Sequence, residues 1–155
     1  MQSIDIGVVR LCERLLRHDP PTEDEVRQAR EWVARETKAA VADMGNYQTA
    51  TFVGTAGTIT SLAAMAQKLP AYEPARIHNY TLKLSTVQEL EQTLLSRNKV
   101  NRVGLPGLEK NREEVIAAGA IIIRTVMETL GLSDCLVSDL GLRDGVLIDL
   151  ATRMR

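Results

Sequence analysis

Aromatic residues are scarce in this chain: one Trp, three Tyr and one Phe among 155 residues. That removes the stacked rings on which single-stranded nucleic acids are held. Neither charge is in surplus, since 19 Lys and Arg against 20 Asp and Glu leave a formal charge of −1. A general nucleic-acid or membrane-surface binder would be basic, so no nucleic-acid or membrane partner is expected. The two cysteines, Cys12 and Cys135, have no second Cys or His near them at zinc spacing. They read as buried free thiols of a reducing, cytoplasmic protein. The two histidines, His18 and His78, are too far apart in sequence to form a ligand motif, and His78 reads as a hydrogen-bonded structural residue. Long apolar runs are also lacking, because Ala117 to Ile123 is broken by Arg124 and is too short to span a bilayer. The first residues do not have the basic-then-apolar form of a secretory leader. No Ser-His-Asp or Cys-His arrangement and no acid–base pair stands out. Glu23, Asp24 and Glu25 read instead as the acidic start of a helix.

What is present is a hydrophobic content of 45%, enough for one domain with a real core and no disulfide or metal staple. Apolar spacing predicts a helix over Ile6 to Arg17, stopped by Asp19-Pro20-Pro21. Thr22 followed by Glu25 is a capping-box pattern opening a helix to about Asp43, with Val26, Ala29, Val33, Ala40 and Met44 on its inner face. Ala50 to Val53 reads as a short buried strand, followed by a helix over Ile59 to Lys68. His78 to Leu84 reads as a second strand and Ser85 as the cap of a helix to Arg97. Arg112 to Leu130 is a strong helix whose Gly119 costs about 1 kcal/mol against Ala, so another backbone is expected to press close there. Asp134 to Ser138 is a third strand, Gly141 to Gly145 a turn, and Val146 to Met154 a last helix. The pattern is α/β and helix-rich, with a thin sheet of three strands unless Gln2 to Ile6 adds another.

Three motifs carry candidate chemistry. The strand–Gly54-Thr55-Ala56-Gly57-Thr58–helix unit offers backbone N–H groups and hydroxyls to an anion at a helix N-terminus. It lacks the Lys of a P-loop and the third Gly of a dinucleotide fingerprint, so its glycines could equally serve only the turn. The second motif is Ser138-Asp139-Leu140-Gly141-Leu142-Arg143-Asp144-Gly145, where Gly141 and Gly145 bracket Arg143. Its guanidinium suits phosphate oxygens, or else pairs with Asp139 or Asp144 on the surface. The third is a local basic excess, Arg97, Lys99, Arg102, Lys110 and Arg112, around Gly104-Leu105-Pro106-Gly107-Leu108. It reads either as a polyanion track or as a solvated loop. No side-chain metal site is expected in this chain.

Taken in order, several segments resemble the exopolyphosphatase / guanosine pentaphosphate phosphohydrolase (Ppx/GppA) family. They are Ile6 to Arg14 with Asp19 to Thr22, Val53 to Thr58, His78 to Leu82, Leu105 to Leu108 with Arg112, Gly119-Ala120, and Ser138 to Leu147. The resemblance spans nearly the whole chain. It implies a partial second domain of the actin / sugar kinase / heat-shock ATPase-like (ribonuclease H-like) fold, in which two domains clasp a phosphate-bearing ligand. Gly54, Thr55, Ala56, Gly57 and Thr58 would then be the phosphate- or nucleotide-binding loop. Arg97, Arg112 and Arg143 would contact the polyanion, and Gly141 and Gly145 would form the hinge. The substrate would be inorganic polyphosphate or guanosine pentaphosphate, hydrolysed with Mg²⁺ in an intact member. The resemblance also implies that the first domain, its catalytic Glu and the Asp-bearing phosphate loop lie outside these residues. No catalytic residue or metal ligand is therefore assigned here. A sheet lacking strands would leave an edge for a second copy or for the missing domain. The other readings are a phosphate- or nucleotide-sensing module without catalysis, and a helical interaction domain whose glycines are purely structural.

Overall fold

The computed structural model describes residues 4–44 and 50–154. Eight helices and three strands are formed among them, in the order α1 (Val8–Arg14), α2 (Glu23–Val41), β1 (Val53–Thr55), α3 (Gly57–Ala66), α4 (Pro74–Ile77), β2 (Thr81–Lys83), α5 (Leu84–Leu95), α6 (Lys99–Arg102), α7 (Ile116–Leu130), β3 (Asp134–Ser138) and α8 (Leu142–Arg153). The sheet runs β1-β3-β2, with β1 parallel and β2 antiparallel to the central β3. Each outer strand therefore has one partner among the described residues. Ile4 to Gly7 adds no strand, and residues 1–3 lie outside the described ones.

α7 organises the interior. Ile116, Ala117, Ala120 and Met127 enter a core shared with the sheet, α3 and α5. Ala118 and Ile121 enter a second core with Leu11 of α1 and with Ala29 and Val33 of α2. Its small residues let other elements approach on both sides. The neighbour at Gly119 is the Thr58 side chain and not a second backbone as the sequence suggested. Glu91, buried on α5, ties α2, α5 and α7 together by accepting from Arg30 of α2 at 2.6 Å and Arg124 of α7 at 2.5 Å. The helix ends follow local chemistry. The Thr22 hydroxyl accepts from Glu25 N–H at 3.3 Å, and the Glu25 carboxylate accepts from Thr22 N–H at 2.9 Å. α7 stops at Gly131, in the left-handed region at φ 67.

Several expectations are corrected. The first strand is Val53–Thr55 and not Ala50 to Val53, and it lies at an edge with Val53 exposed. β2 is confined to Thr81–Lys83, because Leu84 already begins α5 with Lys83 as its cap in place of Ser85. The helix predicted from Arg112 starts at Ile116. On α2, Thr37 is buried while Met44 is exposed beyond the helix end. Gly145 lies inside α8, whose cap is Gly141, because the Asp144 carboxylate accepts from Gly141 N–H at 2.8 Å and starts the helix early. Cys135 is buried, but Cys12 is half-exposed.

Candidate functional site

The site forms where β1 hands the chain to α3. Gly54 is required there, because a Cβ would lie 2.9 Å from Cys135 Sγ and 2.8 Å from Ile59 Cγ1. The turn itself falls on Ala56, at φ 73. Among the described residues, nothing accepts from the N–H groups of Gly57, Thr58 or Ile59. Open donors therefore sit at the positive end of a ten-residue helix. Behind them, the Thr60 hydroxyl donates to the carbonyls of Gly57 at 3.3 Å and Ala56 at 3.4 Å.

Arg112 lies directly on this turn. A Cβ at Gly57 would come 2.2 Å from its Nη2 and 2.3 Å from its Nη1. Among the described residues its ion-pair partner is Glu109, at 3.5 Å. The opposite side is the connection from β3 to α8, which brings Asp139 and Arg143. Together with Tyr72, these groups line a cavity of about 460 Å³ over Thr55, Ala56 and Gly57.

The surface pairing weighed for Arg143 does not form with either carboxylate. Asp144 caps α8, and Asp139 accepts from the Tyr72 hydroxyl. Asp139 is also held through its N–H, which donates to His78 Nδ1 at 3.4 Å. Burial, reinforced by the bond to Asp139, raises the Tyr72 pKa above that of a free phenol.

The other cations of the basic segment lie elsewhere. Arg97 donates to Thr93 O at 2.8 Å and does not line the cavity. Arg102 is buried, donating to Leu94 O at 3.0 Å and Glu113 O at 3.1 Å and pairing with Asp19 at 3.1 Å. Lys99 pairs with Glu114 at 2.7 Å. The Gly104 to Leu108 loop packs against α3 at Gly107, where a Cβ would meet Ala64 O and Met65 N. So Arg112 and Arg143 share the cavity with the Gly54 to Thr58 loop, while Arg97, Lys99 and Arg102 are engaged within the fold. Tyr72 and Glu109 carried no signal in the sequence. Tyr72 reaches Asp139 across 67 positions, which no local motif encodes.

No three His, Cys, Asp or Glu side chains among the described residues are grouped to hold a metal ion.

Open helix-end amides and two guanidinium groups thus meet at one end of the sheet of this α/β protein. The chain belongs to the Ppx/GppA phosphatase family, whose sequence pattern it matches over residues 1–154. It is 37% identical over 153 residues to Exopolyphosphatase 2 of Mycobacterium tuberculosis, covering 96% of this chain and 48% of that protein. It is 27% identical over 143 residues to a bifunctional 3-dehydroquinate synthase/phosphatase of Fusobacterium nucleatum, covering 88% of this chain and 20% of that protein. The crystal structure of the Aquifex aeolicus Ppx/GppA family member superposes with a TM-score of 0.90 at 31% identity, over 99% of this chain and 49% of that one. The fold is thus the helix-rich, actin-like α/β fold of these proteins, and the chain spans about half the length of the exopolyphosphatases it matches.

Proposed function

We propose that this chain is the truncated second domain of a hydrolase core, and that it forms the phosphate-binding wall. The enzyme would remove terminal phosphates from inorganic polyphosphate or guanosine pentaphosphate in the cytoplasm, and this chain would not turn them over alone. The observation that carries the reading is the position of Arg112. A guanidinium laid on the positive end of α3, beside unbonded amides, brings like charges together. A bound phosphate relieves that repulsion, accepting from the amides and from the fork of Arg112 at once. Arg143, unpaired among the described residues, supplies a second cation.

Inactivity in isolation is supported by what the cavity does not hold. Each of its carboxylates already carries one contact, as a helix cap, an ion-pair partner and a tyrosine acceptor, which restrains it from turning onto an attacking water. The uncovered face of α8 and the outer edge of β1 support a further body seated against this one. That body is the rest of the family fold, or a second copy paired through the sheet edge. The test is calorimetric titration with tripolyphosphate at low and high salt, run beside a phosphate-release assay. Binding that weakens with salt, and is lost in Arg112→Gln, supports the reading. Absence of binding overturns it, and phosphate release by the chain alone overturns its inactivity.

A further inference from the structure

We propose that Glu109 is a positioning residue: it holds Arg112 by Nε, so that the guanidinium fork is presented to a phosphate on the first turn of α3. The inference rests on the reading that the cavity binds phosphate, and it adds the group that orders the cavity's principal cation.

The Arg112 side chain is half-exposed, and a long, exposed arginine is costly to order when a ligand arrives. The structure divides its guanidinium between two neighbours. Glu109 Oε2 lies 3.5 Å from Nε, the nitrogen nearest the stem, while Nη1 and Nη2 lie over Gly57. The carboxylate thus takes the back of the group and leaves the two terminal nitrogens beside the open amides, as an end-on fork for an anion. The segment that carries Glu109 is anchored to hold this arrangement. Gly107, at φ 81, packs on the backbone of α3 at Ala64 and Met65, and so ties the loop to the helix whose first turn Arg112 covers. Leu105 and Leu108 pack on the core. Asn111 lies in the left-handed region at φ 69, which asparagine tolerates better than most residues. Across that turn the Arg112 N–H donates to Glu109 O at 3.2 Å, which brings the two side chains together.

On charge alone Glu109 is out of place. It lines the cavity with a negative charge, which repels a polyanion. A bystander carboxylate there would weaken phosphate binding, and its removal would strengthen it. A positioning carboxylate does the reverse, because without it the ligand must order Arg112 itself. The two roles differ in the sign of one measurement.

The experiment titrates the full chain and its Glu109→Gln variant with tripolyphosphate at about 0.15 M salt. Urea denaturation is run beside it, as are NMR relaxation measurements on the Nε–H of Arg112, whose signal is assigned by its loss in Arg112→Lys. Glu109→Gln is expected to bind about fivefold weaker although it removes a negative charge, the scale of ordering one long side chain. Its denaturation midpoint should match that of the parent, since a half-exposed ion pair contributes little to stability. The Arg112 Nε–H should become more mobile in the variant. In Arg112→Lys, which keeps the charge but has neither Nε nor a fork, adding Glu109→Gln should leave affinity unchanged or raise it. Equal or tighter binding by Glu109→Gln, the same loss in the Arg112→Lys background, or a midpoint that falls in step with affinity overturns this inference and leaves the phosphate site standing. A parent chain that does not bind tripolyphosphate overturns the phosphate reading itself.

Discussion

Thr58 is wedged against Gly119: a Cβ added to this glycine would lie 2.4 Å from the Thr58 methyl. One contact joins the first turn of α3, where the open amides are, to the helix between the two cores. The depth of the Gly54 to Thr58 loop against the body is set there.

Gly119→Ala should therefore destabilise the chain even though alanine is worth about 1 kcal/mol more than glycine in a helix. We expect a net loss of about 1–3 kcal/mol by urea denaturation, the scale of an overpacked core. In a Thr58→Ser background, which deletes the methyl, the same change should turn neutral or stabilising. A loss that persists there would refute the wedge.

Gly57→Ala separates binding from stability. The atoms nearest its Cβ are the far end of Arg112, which can swing away, so the midpoint of denaturation should hardly move. Tripolyphosphate affinity should fall about tenfold as the guanidinium leaves the turn, on the scale of a charge-assisted hydrogen bond. Affinity equal to that of the parent chain would remove Arg112 from the site.

Glu25 gives a pH signature. Burial alone would raise its pKa, but hydrogen bonds from His18 and from the N–H groups of Thr22 and Arg17 outweigh it and bring the value to about 2. A carboxylate held below its unfolded value stabilises the fold above that value, and the benefit fades as pH falls toward the folded one. Stability should accordingly decline from about pH 4.5 down to about pH 2, and Glu25→Gln should flatten that limb. An equally steep limb in the variant would assign it to other carboxylates.

The thiols should differ in reactivity. Burial pushes the Cys135 thiol up to about 11, where almost none is ionised at pH 8. Cys12 is also raised by burial, but it is half-exposed. With a disulfide reagent at pH 8, Cys12 should react first and Cys135 only on unfolding. Prompt labelling of Cys135 in the native chain would contradict its position behind Gly54.

The elements whose cause is local were legible in the sequence. Thr22 with Glu25 announces α2 because both partners of the cap lie within one turn. The Asp134 to Ser138 strand and the family resemblance were equally plain. What escaped depends on distant partners. β1 sits at 53–55 and not at 50–53 because its register is fixed by β3, some 83 positions later. The Gly141-to-Gly145 stretch looked like one turn because two glycines punctuate it, yet Gly145 has open space around it and the cap from Asp144 carries the helix through. In the cavity, the loop, Arg112 and Arg143 could be named from sequence. Tyr72 could not, since its meaning is a bond to Asp139. Arg97 and Arg102 looked equivalent to Arg112 because charge is visible in a sequence and burial is not.

No side chain of α8 is buried, and Leu142, Val146, Leu147, Ile148, Leu150 and Met154 face water. Cooperative melting senses only what is packed, so this twelve-residue rod is a passenger in the unfolding of the remainder. Purified by itself, the chain carries a greasy handle whose clumping will track concentration even while everything behind it stays folded.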